Sequence, residues 1–280
     1  MQTIVESAGC SLALTMPQSL EHLLEDQYVA HIVPEFKIRD FGDADSTLVL
    51  QEGDTPTISG NVIRAPWTGI LPGQFAHLLL YALQEIYMKK GFLYFHAGAI
   101  ELDGDAILLI GPSRGGKSLL TKVAGTKGIA GIIGDDGILV REWKVVGGNR
   151  LISVLEDKEK YVTPEELGAR RSYEGTVKAV IFLEPEILTE LRVQKCSEIE
   201  TALRLYQATS EDARGVGYCL LTAGIALPSH DTTEFAQRRL ASIRAKAKNI
   251  VAHRLGGRYE VMIKWFQHYL TKKEYVSANS

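Results

Sequence analysis

Apolar residues recur along this chain with two periods. From Pro72 the positions Phe75, Leu78, Leu79, Ala82, Leu83 and Ile86 follow at helical spacing and lay one stripe along an α-helix. Lys89-Lys90-Gly91 then supply the cations and the glycine with which a helix ends. Before this helix, short apolar stretches are broken by the turn signals Phe41-Gly42-Asp43 and Glu52-Gly53-Asp54, and residues 47–51 read as a strand. Residues 1–70 are therefore expected to form a small β-rich or mixed region. After the helix, residues 92–95, 97–102 and 106–110 read as strands, the last two joined by an Asp103-Gly104 turn. Residues 119–124 suit a helix, and a further strand ends at Gly134-Asp135-Asp136-Gly137, with residues 138–140 continuing beyond it. The run 177–183 predicts a buried strand closed by Glu184-Pro185. Strand, glycine-rich loop and helix in succession place residues 71–280 in an α/β core.

The 280 residues, 45% apolar and 23% charged, lie near globular averages and exclude a disordered or collagenous chain. Three widely spaced cysteines, Cys10, Cys196 and Cys219, form no Cys-x-x-Cys pair, which argues against a zinc site or a disulfide framework and suits a reducing cytosol. The N-terminus lacks the basic start of a signal peptide, and no apolar run approaches a membrane span of roughly 18 residues. A cytoplasmic protein is expected. The net charge of −3 points to no polyanion, but its distribution is uneven. From Phe235 to Tyr259 there are seven Lys and Arg and no acid.

Gly111-Pro112-Ser113-Arg114-Gly115-Gly116-Lys117-Ser118 fits the pattern in which a glycine turn between strand and helix aims backbone N–H groups at nucleotide phosphates. The start of the helix adds its positive end. Lys117 would reach the β and γ phosphates, and the Ser118 hydroxyl would ligate Mg²⁺. At a glycine frequency of about 7%, such a string arises by chance in roughly one chain in a hundred. The same loop contains Gly111-x-Ser113-x-Gly115, the nucleophile elbow of an α/β hydrolase, with Asp231 and His253 in triad order. That shorter string is about ten times commoner by chance, and it leaves Lys117, Ser118 and the aspartate pair unexplained. Successive strand residues face opposite sides, so Asp135 and Asp136 share one phosphate only at a strand end or bend, which Gly134 and Gly137 permit. One carboxylate would then meet a metal and the other the nucleophile, and their proton affinities would be raised by each other and lowered by Mg²⁺ and Lys117.

Phe95-His96-Ala97-Gly98-Ala99-Ile100, the strand to Ile110, the loop, and Gly134-Asp135-Asp136 some sixteen residues beyond it resemble the catalytic domain of the HPr kinase/phosphorylase family. The resemblance covers about fifty residues. It implies a phosphoenolpyruvate-carboxykinase-like P-loop core with a mixed sheet, ATP and Mg²⁺ as cofactors, and phosphorylation of a serine hydroxyl. Lys117, Asp135, Asp136 and His96 would be catalytic, with Asp136 as general base. Ser118 and Asp135 would hold the metal, with Glu174 as stand-in for the family's second metal glutamate. Where the family has glycine, Arg114 stands, and because arginine resists positive φ the loop is expected to differ there or to offer its guanidinium to a phosphate. Smaller relatives phosphorylate a serine of a ribosomally made peptide, such as a lasso peptide precursor, so the expected partner is a peptide or protein acceptor. Free serine is a small-molecule alternative, and a homo-oligomer stays open. Another reading is a nucleotide-sensing regulator in which the strand to Glu184 serves as Walker B. The basic segment predicts a helix after the capping box Asp231-Thr-Thr-Glu234, burying Ala236, Leu240, Ile243, Ala247 and Ile250. Arg238, Arg239, Lys246 and Lys248 are expected to face solvent or an anionic partner, an acceptor before nucleic acid.

Overall fold

The computed structural model describes residues 2–53, 56–67, 70–155, 159–184, 190–213 and 227–276. Cys219 and Pro185 lie outside them. The architecture is mixed α/β, with two large sheets and a small hairpin.

The first sheet is built from β1 (Gln2–Ser7), β2 (Cys10–Thr15), β3 (Lys37–Arg39), β4 (Ser46–Gln51), β5 (Thr57–Ser59) and β6 (Val62–Pro66), in the order β3-β1-β2-β4-β6-β5. Between β2 and β3, a 3₁₀ turn leads into α1 (Gln27–Ile32), which is capped where the Asp26 carboxylate accepts from the Tyr28 N–H at 2.8 Å. Then comes α2 (Pro72–Lys89), closed by Gly91 at φ +77°. Its predicted stripe packs on Val5, Leu12, Leu14, Leu48 and Ile63 of the sheet. Leu80, Tyr81 and Tyr87 are buried as well, because α2 also packs against an element of the second half, so its burial exceeds one amphipathic face.

The second sheet takes β7 (Leu93–Phe95), β8 (Ala97–Leu102), β9 (Asp105–Ile110), β10 (Gly131–Gly134), β11 (Ile138–Arg141) and β12 (Lys144–Gly148), with α3 (Lys117–Thr126) between β9 and β10. A separate hairpin follows, β13 (Ile152–Leu155) with β14 (Glu159–Val162). The chain returns to the second sheet in β15 (Gly175–Glu184) and β16 (Arg192–Lys195), then forms α4 (Glu198–Ala213), α5 (Thr233–Ala247), β17 (Val251–Gly256) and α6 (Tyr259–Thr271). The strand order is β10-β8-β9-β15-β12-β11-β7, with β17 on β15 and β16 on β17. Within it, β15 runs parallel to β9 and β17, and the other pairs are antiparallel.

Period-2 alternation sorts this sheet's side chains between two helical layers. Leu108, Val180, Phe182 and Ala252 pack with Leu205 of α4 and Ile243 of α5. Leu109, Ile181, Leu183 and Leu255 pack with Leu120 of α3 and Met262 and Phe266 of α6. The sheet curls until β12 meets β10: a Cβ at Gly134 would lie 2.7 Å from the Asn149 nitrogen, and one at Gly148 would lie 2.7 Å from the Ile133 carbonyl. This closure sets the corner between β10 and β11, where the two aspartates stand. Among the described residues no helix is long and apolar enough to cross a membrane.

Candidate active site

The loop between β9 and α3 ends at Gly116, which enters the helix at φ +96° with the Tyr259 ring beside it. Arg114 stands at φ +61°, which corrects the expectation that arginine would avoid this conformation. Its cost is roughly 1–2 kcal/mol, and the Tyr259 hydroxyl holds it by donating to the Arg114 carbonyl at 2.6 Å. Pro112, Ser113 and Arg114 form the exposed crest of the loop. Lys117, the first residue of α3, turns back beneath that crest. Its ammonium is buried and donates to the carbonyls of Gly111 at 3.0 Å and Pro112 at 3.1 Å. Burial lowers its pKa, against the charges of Asp136 and Asp135.

Asp135 is fully buried beside α3. A Cβ at Gly98 would touch Thr121 Oγ1 at 2.5 Å and lie 3.7 Å from Asp135 Oδ1, so the three share one recess. Among the described residues Thr121 Oγ1 meets no hydrogen-bond partner, and the Asp135 oxygens meet none in close, well-aligned geometry. The Ser118 hydroxyl lies within reach of the carboxylate and favours its charged form by hydrogen bonding. Burial, and then the charge of Asp136, push Asp135 up to about 7, with Ser118, His31 and Lys117 opposing.

Asp136, at φ +69°, turns the other way. Its Oδ2 meets His31 Nε2 at 3.1 Å, while its Oδ1 faces His96 Nε2 at 3.7 Å and Lys117 Nζ at 4.0 Å. Burial works to raise its pKa, but the His31 hydrogen bond and the charges of His96, His31 and Lys117 together bring it below the ordinary carboxylate value. Adjacent in sequence, the two acids are driven in opposite directions, the separation that distinguishes acid-base roles in catalytic pairs. His96 is lowered by crowding and by Lys117, although nearly half its side-chain surface is open.

His31 comes from α1, in the first half of the chain, and no local motif marks it. His77 of α2 stands nearby, against the Tyr28 hydroxyl at 3.2 Å and within reach of the charges of Asp136 and His96. Tyr161 of β14 lies over His31 with ring centroids 4.6 Å apart. None of these residues, nor Thr121 or Tyr259, was found by sequence reasoning. The one available signal was the polar Tyr28-Val-Ala-His31 turn, which reads equally well as a solvated helix.

Two expected groupings, and the rival hydrolase constellation, are not assembled. Glu174 stands before β15, where Thr176 pairs with Asp105, whereas the loop follows Ile110 at the other end of β9. The length of β9, about 17 Å at 3.3 Å per residue, separates Glu174 from the loop. Its carboxylate pairs instead with Lys144 at 2.6 Å, so Glu174 does not join Ser118 and Asp135. Arg239 does not face solvent. It is buried, and one guanidinium nitrogen donates to both carboxylate oxygens of Asp231 at 2.9 and 2.8 Å, with Tyr206 beneath its guanidinium, while Leu240 of the predicted stripe is exposed. Arg238 is exposed and pairs with Glu234 one turn earlier. The hydrolase constellation is split across the sheet, since Asp231 serves Arg239 on the α4–α5 side while His253 packs edge-on to Tyr269 of α6 at 5.4 Å.

Among the described residues no group of three His, Cys, Asp or Glu side chains could enclose a metal. Ser118, Asp135 and Thr121 nevertheless offer hard oxygen donors, two of those residues with unmet hydrogen-bonding capacity. That set suits Mg²⁺, which takes one or two protein oxygens and completes its shell with water and phosphate.

No protein-family model matches the sequence, and no curated protein matches it. Among solved structures, the HPr(Ser) kinase/phosphatase from Coxiella burnetii matches 67% of this chain and 99% of that one, at 13% identity and a TM-score of 0.36. A superposition that loose leaves the chemistry to the residues themselves.

Proposed function

We propose that this protein is an ATP- and Mg²⁺-dependent kinase that transfers the γ-phosphate to a hydroxyl, with a serine of a peptide or protein as acceptor. The observation that carries the reading is the meeting of Asp136 Oδ1 with Lys117 Nζ and His96 Nε2 at the base of the glycine-rich loop, beside the fully buried carboxylate of Asp135. The loop's N–H groups and the start of α3 would cradle the phosphates. Lys117 would exchange its loop carbonyls for β and γ phosphate oxygens. Ser118 and Asp135 would hold Mg²⁺, whose charge neutralises the β and γ oxygens when bound. Asp136 Oδ1 takes the proton of the acceptor hydroxyl as that oxygen bonds to the γ phosphorus. The bridging P–O bond breaks in the same displacement, and its electron pair leaves with ADP. His96 stands beside Oδ1, where it orients the acceptor oxygen. Phosphoryl transfer through a loose transition state asks mainly for such positioning and charge neutralisation.

The regulator reading loses its acid. Glu184, at the end of β15, is held by Arg254 at 2.7 Å and Arg204 at 2.9 Å. The test is transfer of label from [γ-³²P]ATP to seryl peptides and to free serine, with Mg²⁺ and with EDTA. Metal-dependent label in a seryl acceptor is expected. Hydrolysis to free phosphate alone, with every hydroxyl acceptor unlabelled, would contradict it.

A further inference from the structure

We infer that His31, supplied by the N-terminal part of the chain, is a positioning residue that locks one oxygen of Asp136 so that the other, Oδ1, alone is presented to the acceptor. This deepens the kinase reading and rests on it. The ring of His31 lies between two oxygens. Its Nδ1 is 3.0 Å from the Leu151 carbonyl and its Nε2 is 3.1 Å from Asp136 Oδ2. A carbonyl only accepts, so Nδ1 carries a proton, and a second proton on Nε2 makes the ring a cation that donates to both oxygens in charge-assisted bonds. His31 is 2% exposed and its ring lies against that of Tyr161 at a tilt of 35°, so it has no room to rotate away. Its own backbone is fixed too: the Asn149 amide donates to the His31 carbonyl, and Asn149 N donates to the Gly137 carbonyl at 3.1 Å, tying α1 to the corner that carries Asp136.

The consequence is directional. With Oδ2 tied to His31, the carboxylate cannot swing about its χ2 axis, and Oδ1 is left between His96 and Lys117, where the acceptor hydroxyl would enter. Asp136 stands at φ +69° on a corner, a backbone that does not by itself select one carboxylate orientation. His31 supplies that selection from a segment 105 residues away in the chain, so the two halves of the molecule build one site.

The test uses the full-length protein and its His31→Ala and His31→Gln variants. Mg-ATP affinity is read by calorimetry, and phosphate release from Mg-ATP, with water as acceptor, is read in single turnover. His31→Ala is expected to lower the turnover rate about 10–100-fold, as loss of an orienting partner does, with Mg-ATP affinity changed less than twofold. Added imidazole should recover at least fivefold of that loss. His31→Gln, whose amide can still donate to Oδ2, should fall between wild type and His31→Ala, and it carries the same readouts if the alanine variant does not fold. Wild-type turnover in His31→Ala would overturn the proposal. So would a loss shared equally with Mg-ATP affinity and rescued by neither imidazole nor glutamine. If the wild-type protein binds no Mg-ATP, the kinase reading fails and this inference falls with it; binding by the wild type with undiminished turnover in the variants overturns the positioning role alone.

Discussion

Two regions of this molecule concentrate charge, and they treat it differently. On α5 and β17 three of the basic side chains are matched by acids: Arg239 is closed onto Asp231, Arg238 onto Glu234 and Arg254 onto Glu184. At the glycine-rich loop, fewer charges are left with less. Lys117 is buried on two loop carbonyls, and Asp135 is fully buried with the Ser118 hydroxyl as its hydrogen-bonding neighbour among the described residues. A buried carboxylate with so few partners is costly. The lesson is that an excess of one charge along a sequence says little about function, whereas unmet polarity in a recess says a good deal.

The largest expected effect breaks the loop side of the comparison. Lys117→Ala should abolish phosphoryl transfer, because the charge on the β and γ phosphates is lost and nucleotide binding with it. Next, Asp136→Asn should lower turnover by roughly two to four orders of magnitude, the range for a lost general base, while Mg-ATP affinity in calorimetry stays near that of the wild type. If Asp135→Asn gave that pattern instead, the two acids would have exchanged roles.

The buried pairs can be compared through stability. Arg239→Ala removes one partner of a buried ion pair and should cost about 3–5 kcal/mol in denaturant unfolding, with turnover per folded molecule unchanged. Asp135→Asn should do the opposite. Because burial and Asp136 raise the folded-state pKa of Asp135, the folded protein holds that proton more tightly than the unfolded chain. The metal-free wild type therefore loses stability as pH rises from the ordinary carboxylate value towards about 7. The asparagine variant should melt higher than wild type at pH 7.5, by about 2–4 °C for each kcal/mol relieved, and the two should converge near pH 4. The smallest effect is expected at Tyr259→Phe, which removes the bond to the Arg114 carbonyl. At about 1 kcal/mol for a hydrogen bond, Mg-ATP affinity should weaken roughly fivefold in the same titration.

Much of the fold from α2 onwards was legible because its signals are local. The α2 stripe, the Asp103-Gly104 hairpin turn, the glycine loop between strand and helix, and the apolar run of β15 each need only neighbouring residues. What could not be read depends on residues far apart in sequence. The Glu174 expectation failed because nothing in the sequence says at which end of β15 the loop lies. Arg239 was misplaced because a helix periodicity ranks arginine as polar, and only the Asp231 carboxylate folded against it lets it take a buried position. His31 approaches Asp136 only because β12 curls back to β10 and carries the corner to α1.

The most direct measurement is a calorimetric titration of the full-length protein and of Lys117→Ala with ATP, each with and without Mg²⁺. Binding by the wild type that strengthens with Mg²⁺ and is lost in Lys117→Ala is the predicted result. Equal binding by the two proteins, or none by the wild type under any condition, would contradict a phosphate site at this loop.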